Sequence, residues 1–190
     1  MCHDDDSLMQ RTAAGDERAF QQLVACWEQP VFAFLMHMLG SVEEAEDLAQ
    51  DTFVKVYDQA PRYRPEGRFR SWLLRIAGNK ARSVLRRRKI LRWVPFDLAR
   101  HDQASSGDDP GRSLERRQTT SQVQAAVAEL PERQRAAVVL KRFQGLSYKE
   151  IAEVLGTTVP GVESLLQRAA AALRQRLQAV DSRPAREEKS

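Results

Sequence analysis

Apolar residues in this chain recur every three or four positions over most of its length, and no stretch alternates apolar with polar residues as a half-buried strand requires. The fold class this predicts is all-α. Long helices are expected near 16–39, 42–60 and 68–90, with shorter ones from about Leu114 to Leu177. The third long helix carries the most information. In "GRFRSWLLRIAGNKARSVLRRRK", Gly67 to Lys89, Phe69, Trp72, Leu73, Ile76 and Ala77 project to one side at 100° per residue and suit a core. Arg75, Asn79, Arg82 and Arg86 fall on another side and form a polar ridge roughly 16 Å long. Lys80 projects into the apolar stripe, so either it snorkels or the packed part of the helix ends near Ala77.

Breaks in the pattern divide the chain. The second helix opens on Ser41 and Glu44, the residue pair of a capping box. It closes on "APRYRPEGRF", whose two prolines and glycine force a loop. Farther on, "HDQASSGDDPGRS" has the composition of a flexible linker. The expected organisation is two small helical domains on a tether. A flexible acidic N-terminus covers 1–12, a first helical domain 13–93, the linker 94–113, a second domain 114–179 and a flexible tail 180–190.

Charge is polarised along these parts. Residues 1–61 hold twelve acidic and three basic side chains, whereas residues 62–92 hold twelve basic ones against Glu66 alone. A basic block this dense meets a polyanion or forms a tail, and Trp72, Leu73 and Ile76 inside it argue against a tail. Cations neutralise phosphates without reading sequence, while an Asn can contact a base edge, so the ridge suits nucleic acid better than a membrane. A solvated helix face would show the same spacing.

Several function classes find no support. There is no Cys/His pair, Gly-rich phosphate loop or flanked carboxylate cluster of the kind an enzyme needs, and no cofactor or small-molecule substrate is expected. Cys2 and Cys26 stand in no metal-ligand spacing and predict a chain without a disulfide framework. The Met1-Cys2-His3 end could bind a transition metal, but a disordered acidic tip explains it more simply, and no metal site is expected. The start lacks the apolar core of a secretory signal, and the most apolar segment, around Pro30, is too interrupted to span a bilayer.

Toward the C-terminus, "GLSYKEIAEVLGTTVPGVESLLQRAAAALRQRL" reads as a helix-turn-helix. Ser147 and Glu150 form a capping box, Gly156 stops the helix, and Pro160 opens the next, with Val162, Leu165, Leu166 and Ala169 facing inward. The second helix of such a motif enters the major groove by its N-terminal residues, here Gly161, Glu163, Ser164, Gln167 and Arg168. A plain helical hairpin would share much of this pattern. On the acidic second helix, Ala45, Leu48, Ala49, Thr52, Phe53 and Val56 project inward. Asp47, Gln50 and Asp51 project outward around Val54, a face suited to docking a protein as much as to meeting solvent.

With these features in this order, the chain resembles the extracytoplasmic-function sigma factors, the small two-domain promoter-recognition subunits of bacterial RNA polymerase. "AEDLAQDTFVKVYDQA" is similar to the family's core-binding helix, "FRSWLLRIAGNKARSVLRRRK" to its minus-ten helix and "LPERQRAAVVLKRFQGLSYKEIAEVLG" to the opening of its minus-thirty-five domain. The resemblance implies as partners the β′ and β subunits of the polymerase core, promoter DNA and an anti-sigma factor. It implies work in the cytoplasm without membrane insertion, with tethering at the inner membrane only through that anti-sigma factor. It gives Asp47, Gln50, Asp51 and Val54 to core binding. Tyr63 and Asn79 match positions around a flipped minus-ten base. The chain departs from many relatives at Gly161, Glu163, Leu165, Ala170 and Ala172, which predicts weaker phosphate binding by the recognition helix. The competing function is a stand-alone helix-turn-helix regulator that binds operators as a dimer.

Overall fold

The structure, a computed structural model, describes residues 4–91 and 122–181. Its N-terminal half holds α1 (Asp5–Ala13), α2 (Glu17–Leu39), α3 (Val42–Gln59), a 3-10 turn at Ala60–Arg62 and α4 (Phe69–Leu91). Its C-terminal half holds α5 (122–128), α6 (Glu132–Arg142), α7 (Tyr148–Leu155) and α8 (Val159–Asp181). Every described element is helical. The expected linker at 94–113 and the expected helical start near Leu114 lie outside the described residues.

Short polar residues start the helices by taking up free backbone amides. Asp16 accepts from the Arg18 and Ala19 amides at the head of α2, and Ser41 accepts from the Glu44 amide at 3.4 Å at the head of α3. Only half of the box expected there forms, because the Glu44 carboxylate turns away to pair with Arg88 of α4. Gly40 ends α2 at φ 74°, a conformation that costs any residue with a Cβ. Pro30 sits inside α2 without ending it.

Apolar stripes then bury one another. Leu23, Val31, Phe34, Leu35 and Met38 of α2 meet Ala45, Thr52 and Val56 of α3 and Leu73, Ala77 and Ala81 of α4, all fully buried or nearly so. Each large side chain here stabilises by roughly 1.5–3 kcal/mol. In the C-terminal half, Ala137 and Leu140 of α6, Ile151 and Val154 of α7 and Val162 and Ala169 of α8 do the same.

Three expectations change, and one contact is added. Residues 5–13 are not part of a flexible terminus: they form α1, which packs on α2 through the buried Met9 and Thr12. Cys26 is disulfide-bonded, against the expectation of a chain without disulfides; the other cysteine of the sequence, Cys2, lies outside the described residues. The buried side of α4 is broader than the predicted stripe, taking in Leu74 and Gly78, because α6 and α7 cover α4 as well as α2 and α3. Finally, the two halves touch. The Arg135 guanidinium donates to the Met38 carbonyl at 2.6 Å, the Gln144 amide donates to the Pro30 carbonyl at 3.1 Å, and the His37 and Phe143 rings lie 3.8 Å apart.

Candidate nucleic-acid and polymerase interfaces

The loop between α3 and α4 builds the most distinctive surface of the molecule. Gly67 turns the chain at φ 68°, which brings Tyr63 back against the first turn of α4. The Tyr63 ring meets Trp72 edge-on at 4.9 Å and Phe69 at 5.9 Å, and Phe69 meets Trp27 of α2 at 5.9 Å. Edge-to-face packing at these distances fixes the ring planes. Above them opens a cavity of about 360 Å³, walled by Tyr63, Ser71 and Trp72 and rimmed by Arg62, Arg64, Arg68 and Arg75 together with Glu66 and Glu153, both of which pair with Arg68. Its wall is aromatic, and its rim carries four arginines against two glutamates. Burial, followed by a hydrogen bond to Asp6, pushes the Tyr63 phenol pKa well up, so the hydroxyl keeps its proton and donates at any physiological pH.

Of the residues expected to meet unpaired DNA, the cavity unites Tyr63 and Arg75. Asn79 and Arg86 are exposed farther along α4 and do not line it. Arg82 is half-buried rather than free. Burial lowers its pKa first, and the neighbouring Arg133 cation adds to that, while its Nη2 donates to Asn79 Oδ1 at 2.5 Å. Asn79 is left with its amide N–H groups to offer. Periodicity places Trp72 in the core, yet it is only half-buried and forms a wall of the cavity. Helical projection cannot separate an aromatic that seals a core from one whose outer face is a site.

On α3, Asp47, Gln50, Asp51 and Val54 are all exposed, Val54 at 62%. Lys80 snorkels from the buried side of α4 and pairs with Asp51 at 3.1 Å. α4 stays packed past Ala77, through Ala81 to Leu85, so the first of the two readings of Lys80 holds. Beside Val54 runs a groove of about 750 Å³ between α2 and α3, floored by Phe20, Val24, Phe32 and Phe53 and edged by Glu17, Glu28 and Glu46.

In the C-terminal half, α7 and α8 form the expected helix-turn-helix. Ser147 and Glu150 complete a reciprocal capping box, and Gly156 turns left-handed at φ 58°. Glu163, Gln167 and Arg168 are exposed. Ser164 is half-exposed and accepts from Arg168 Nη2 at 2.9 Å, so these two act together. Gly161 has a packing role as well: a Cβ there would sit 2.5 Å from Thr157 Oγ1.

Among the described residues no His, Cys, Asp and Glu cluster could hold a metal ion, and no helix is long and apolar enough to cross a membrane. An exposed acidic helix face, an arginine-bearing aromatic pocket and a helix-turn-helix follow one another in this order, as in a two-module transcription-initiation protein. Residues 23–90 match the family described as sigma-70 region 2, and residues 120–173 match sigma-70 region 4. The chain is 33% identical over 182 residues to RNA polymerase sigma-H factor of Pseudomonas aeruginosa, covering 92% of this chain and 94% of that one. It is 29% identical over 170 residues to ECF RNA polymerase sigma factor SigW of Bacillus subtilis, covering 86% and 91%. Among solved structures it is similar to CnrH in complex with the cytosolic domain of CnrY, at 31% identity and TM-score 0.67, over 92% of this chain and 97% of that one. The fold also matches RpoE of Bartonella quintana, solved with the anti-sigma factor NepR, at 23% identity and TM-score 0.68, over 84% and 96%. The chain belongs to the extracytoplasmic-function sigma factors, which are transcription-initiation factors rather than enzymes.

Proposed function

We propose that this sigma factor docks on the polymerase core through Asp47, Gln50, Asp51 and Val54, holds the unpaired minus-ten strand in the pocket of Tyr63 and Trp72 and along Arg75, Asn79, Arg82 and Arg86, and reads minus-thirty-five DNA with α8. The observation that carries this is the pair of surfaces on α3 and α4. The packed helices present an acidic face with an exposed valine on α3 and, where α4 begins, an aromatic pocket with four arginines on its rim. A regulator of closed duplex has no use for such a pocket, because duplex bases are stacked. An unstacked base needs an aromatic wall, and the flanking phosphates need cations. On α8, Gly161, Glu163, Ser164, Gln167 and Arg168 would face the major groove, with Glu163 accepting from a cytosine amine and Gln167 reading adenine.

The same reading gives the molecule a cytoplasmic workplace and an anti-sigma factor as its regulator, which would account for any tethering at the inner membrane. The likeness to CnrH, solved in complex with the cytosolic domain of CnrY, supports a protein partner for this chain. Asp51→Arg tests the docking face. The side chain is 65% exposed, so the fold should survive, while association with purified core polymerase falls at least tenfold. Unchanged co-purification with core at normal helicity would overturn the assignment.

A further inference from the structure

The acidic N-terminal turn is built into the strand-holding loop, an arrangement that neither the charge pattern nor the family assignment accounts for. Both oxygens of the Asp6 carboxylate are used. Tyr63 Oη donates to Asp6 Oδ1 at 2.5 Å, and the Gly67 backbone N–H donates to Asp6 Oδ2 at 2.7 Å. Its neighbour Asp5 accepts from Trp27 Nε1 at 2.9 Å, which fixes the inner end of the same aromatic row. One carboxylate thus clasps the loop at its two ends, four residues apart. Tyr63 carries the wall of the cavity, and Gly67 is the left-handed turn that returns the chain to α4. Hydrogen bonds to an ionised acceptor are the stronger ones, and two on one carboxylate fix orientation as well as position.

We propose that Asp6 is a positioning residue for minus-ten recognition: by holding the Tyr63 hydroxyl and the Gly67 amide together, it sets the tilt of the Tyr63 ring and hence the shape of the pocket that receives an unpaired base. Asp6 does not touch the base. The phenol hydroxyl is committed to the carboxylate, so Tyr63 offers the strand its ring and not its oxygen. Without Asp6 the loop retains Gly67 and the Phe69 and Trp72 contacts, so it persists while losing the restraint on the angle of Tyr63. The inference rests on the reading of the pocket given above.

The test uses the full chain with core polymerase and measures open-complex formation on promoters varied at each minus-ten position. Asp6→Ala should lower the ratio of preferred to non-preferred base at one position by about tenfold, the worth of one charge-assisted hydrogen bond. Tyr63→Phe should do the same at that position, and the double variant should equal either single one, because both break one link. Asp6→Asn, which keeps one acceptor oxygen, should recover part of the ratio. A lower melting temperature for Asp6→Ala with the wild-type ratio at every position would make Asp6 merely structural and overturn the proposal. If Tyr63→Ala, which removes the ring, changes base preference while Asp6→Ala does not, the positioning role falls and the pocket reading stands. If Asp6→Ala, Tyr63→Phe and Tyr63→Ala all leave base preference unchanged, the pocket reading falls and the positioning role with it.

Discussion

Asn79 and Arg86 lie exposed on α4 seven residues apart, yet their chemistry differs. An amide can pair with a base edge, whereas a guanidinium can neutralise a phosphate. Asn79→Ala should therefore cost about 1–3 kcal/mol for the preferred minus-ten base and relax discrimination there. Arg86→Ala should weaken all promoters alike and reduce the salt slope by roughly 0.7, as for one phosphate of single-stranded DNA. Open-complex formation at several salt concentrations separates the two, and identical behaviour of both variants would contradict the division. The candidate residues were legible because ridge and stripe follow from one helical period. The partners of those residues were not. That Arg82 would bond Asn79, that Lys80 would reach Asp51, and that Glu44 would leave its cap for Arg88 depend on which helices meet, and periodicity along one helix does not specify its neighbour. Asp6 was hidden for the same reason: a carboxylate whose partners lie 57 and 61 residues away reads locally as part of a solvated acidic tip.

Among the elements, α7 shows how a few residues set a helix. Its capping box is complete, and the Ser147 hydroxyl and backbone N–H both donate to the Glu150 carboxylate, holding its pKa below the ordinary 4.5. A folded-state pKa below the unfolded one means that the unfolded chain takes up the proton first. The stabilisation is present above pH 4.5 and is lost as pH falls through the folded value. Ser147→Ala should flatten that acid limb, read as helicity of the full chain against pH; an unchanged limb would contradict the role of the cap. At the other end, Gly156→Ala should destabilise by about 1–2 kcal/mol, because φ 58° brings a Cβ against the backbone. The melting temperature reports it. Both signals were legible in the sequence, since caps are local chemistry. The helix α1 was not foreseen, because three consecutive aspartates suggested solvation although Asp4 is the N-cap and accepts from the Ser7 amide.

In the whole molecule, the C-terminal half lies on the cationic side of α4, and Glu153 of α7 closes one edge of the pocket, 3.7 Å from Arg68. Exposed pairs of this kind contribute little. Arg135 is the stronger link: it is 92% buried, its guanidinium donates to the Met38, Ala128 and Leu130 carbonyls, and burial lowers its pKa. Arg135→Ala strands those carbonyls and should loosen the junction by about 1.5–3 kcal/mol. The radius of gyration from small-angle scattering should rise while helicity stays constant, and an unchanged radius would contradict the assignment. The contact between halves was not legible, because the expected tether said nothing of what it joins. The central claim is that one chain both docks on polymerase and selects where it opens DNA. Core polymerase should be mixed with the purified chain on fragmented bacterial DNA, and transcript starts mapped. The account predicts starts absent with core alone, sharing one minus-ten and one minus-thirty-five element, and abolished by Asp51→Arg. Starts identical to those of core alone would contradict it.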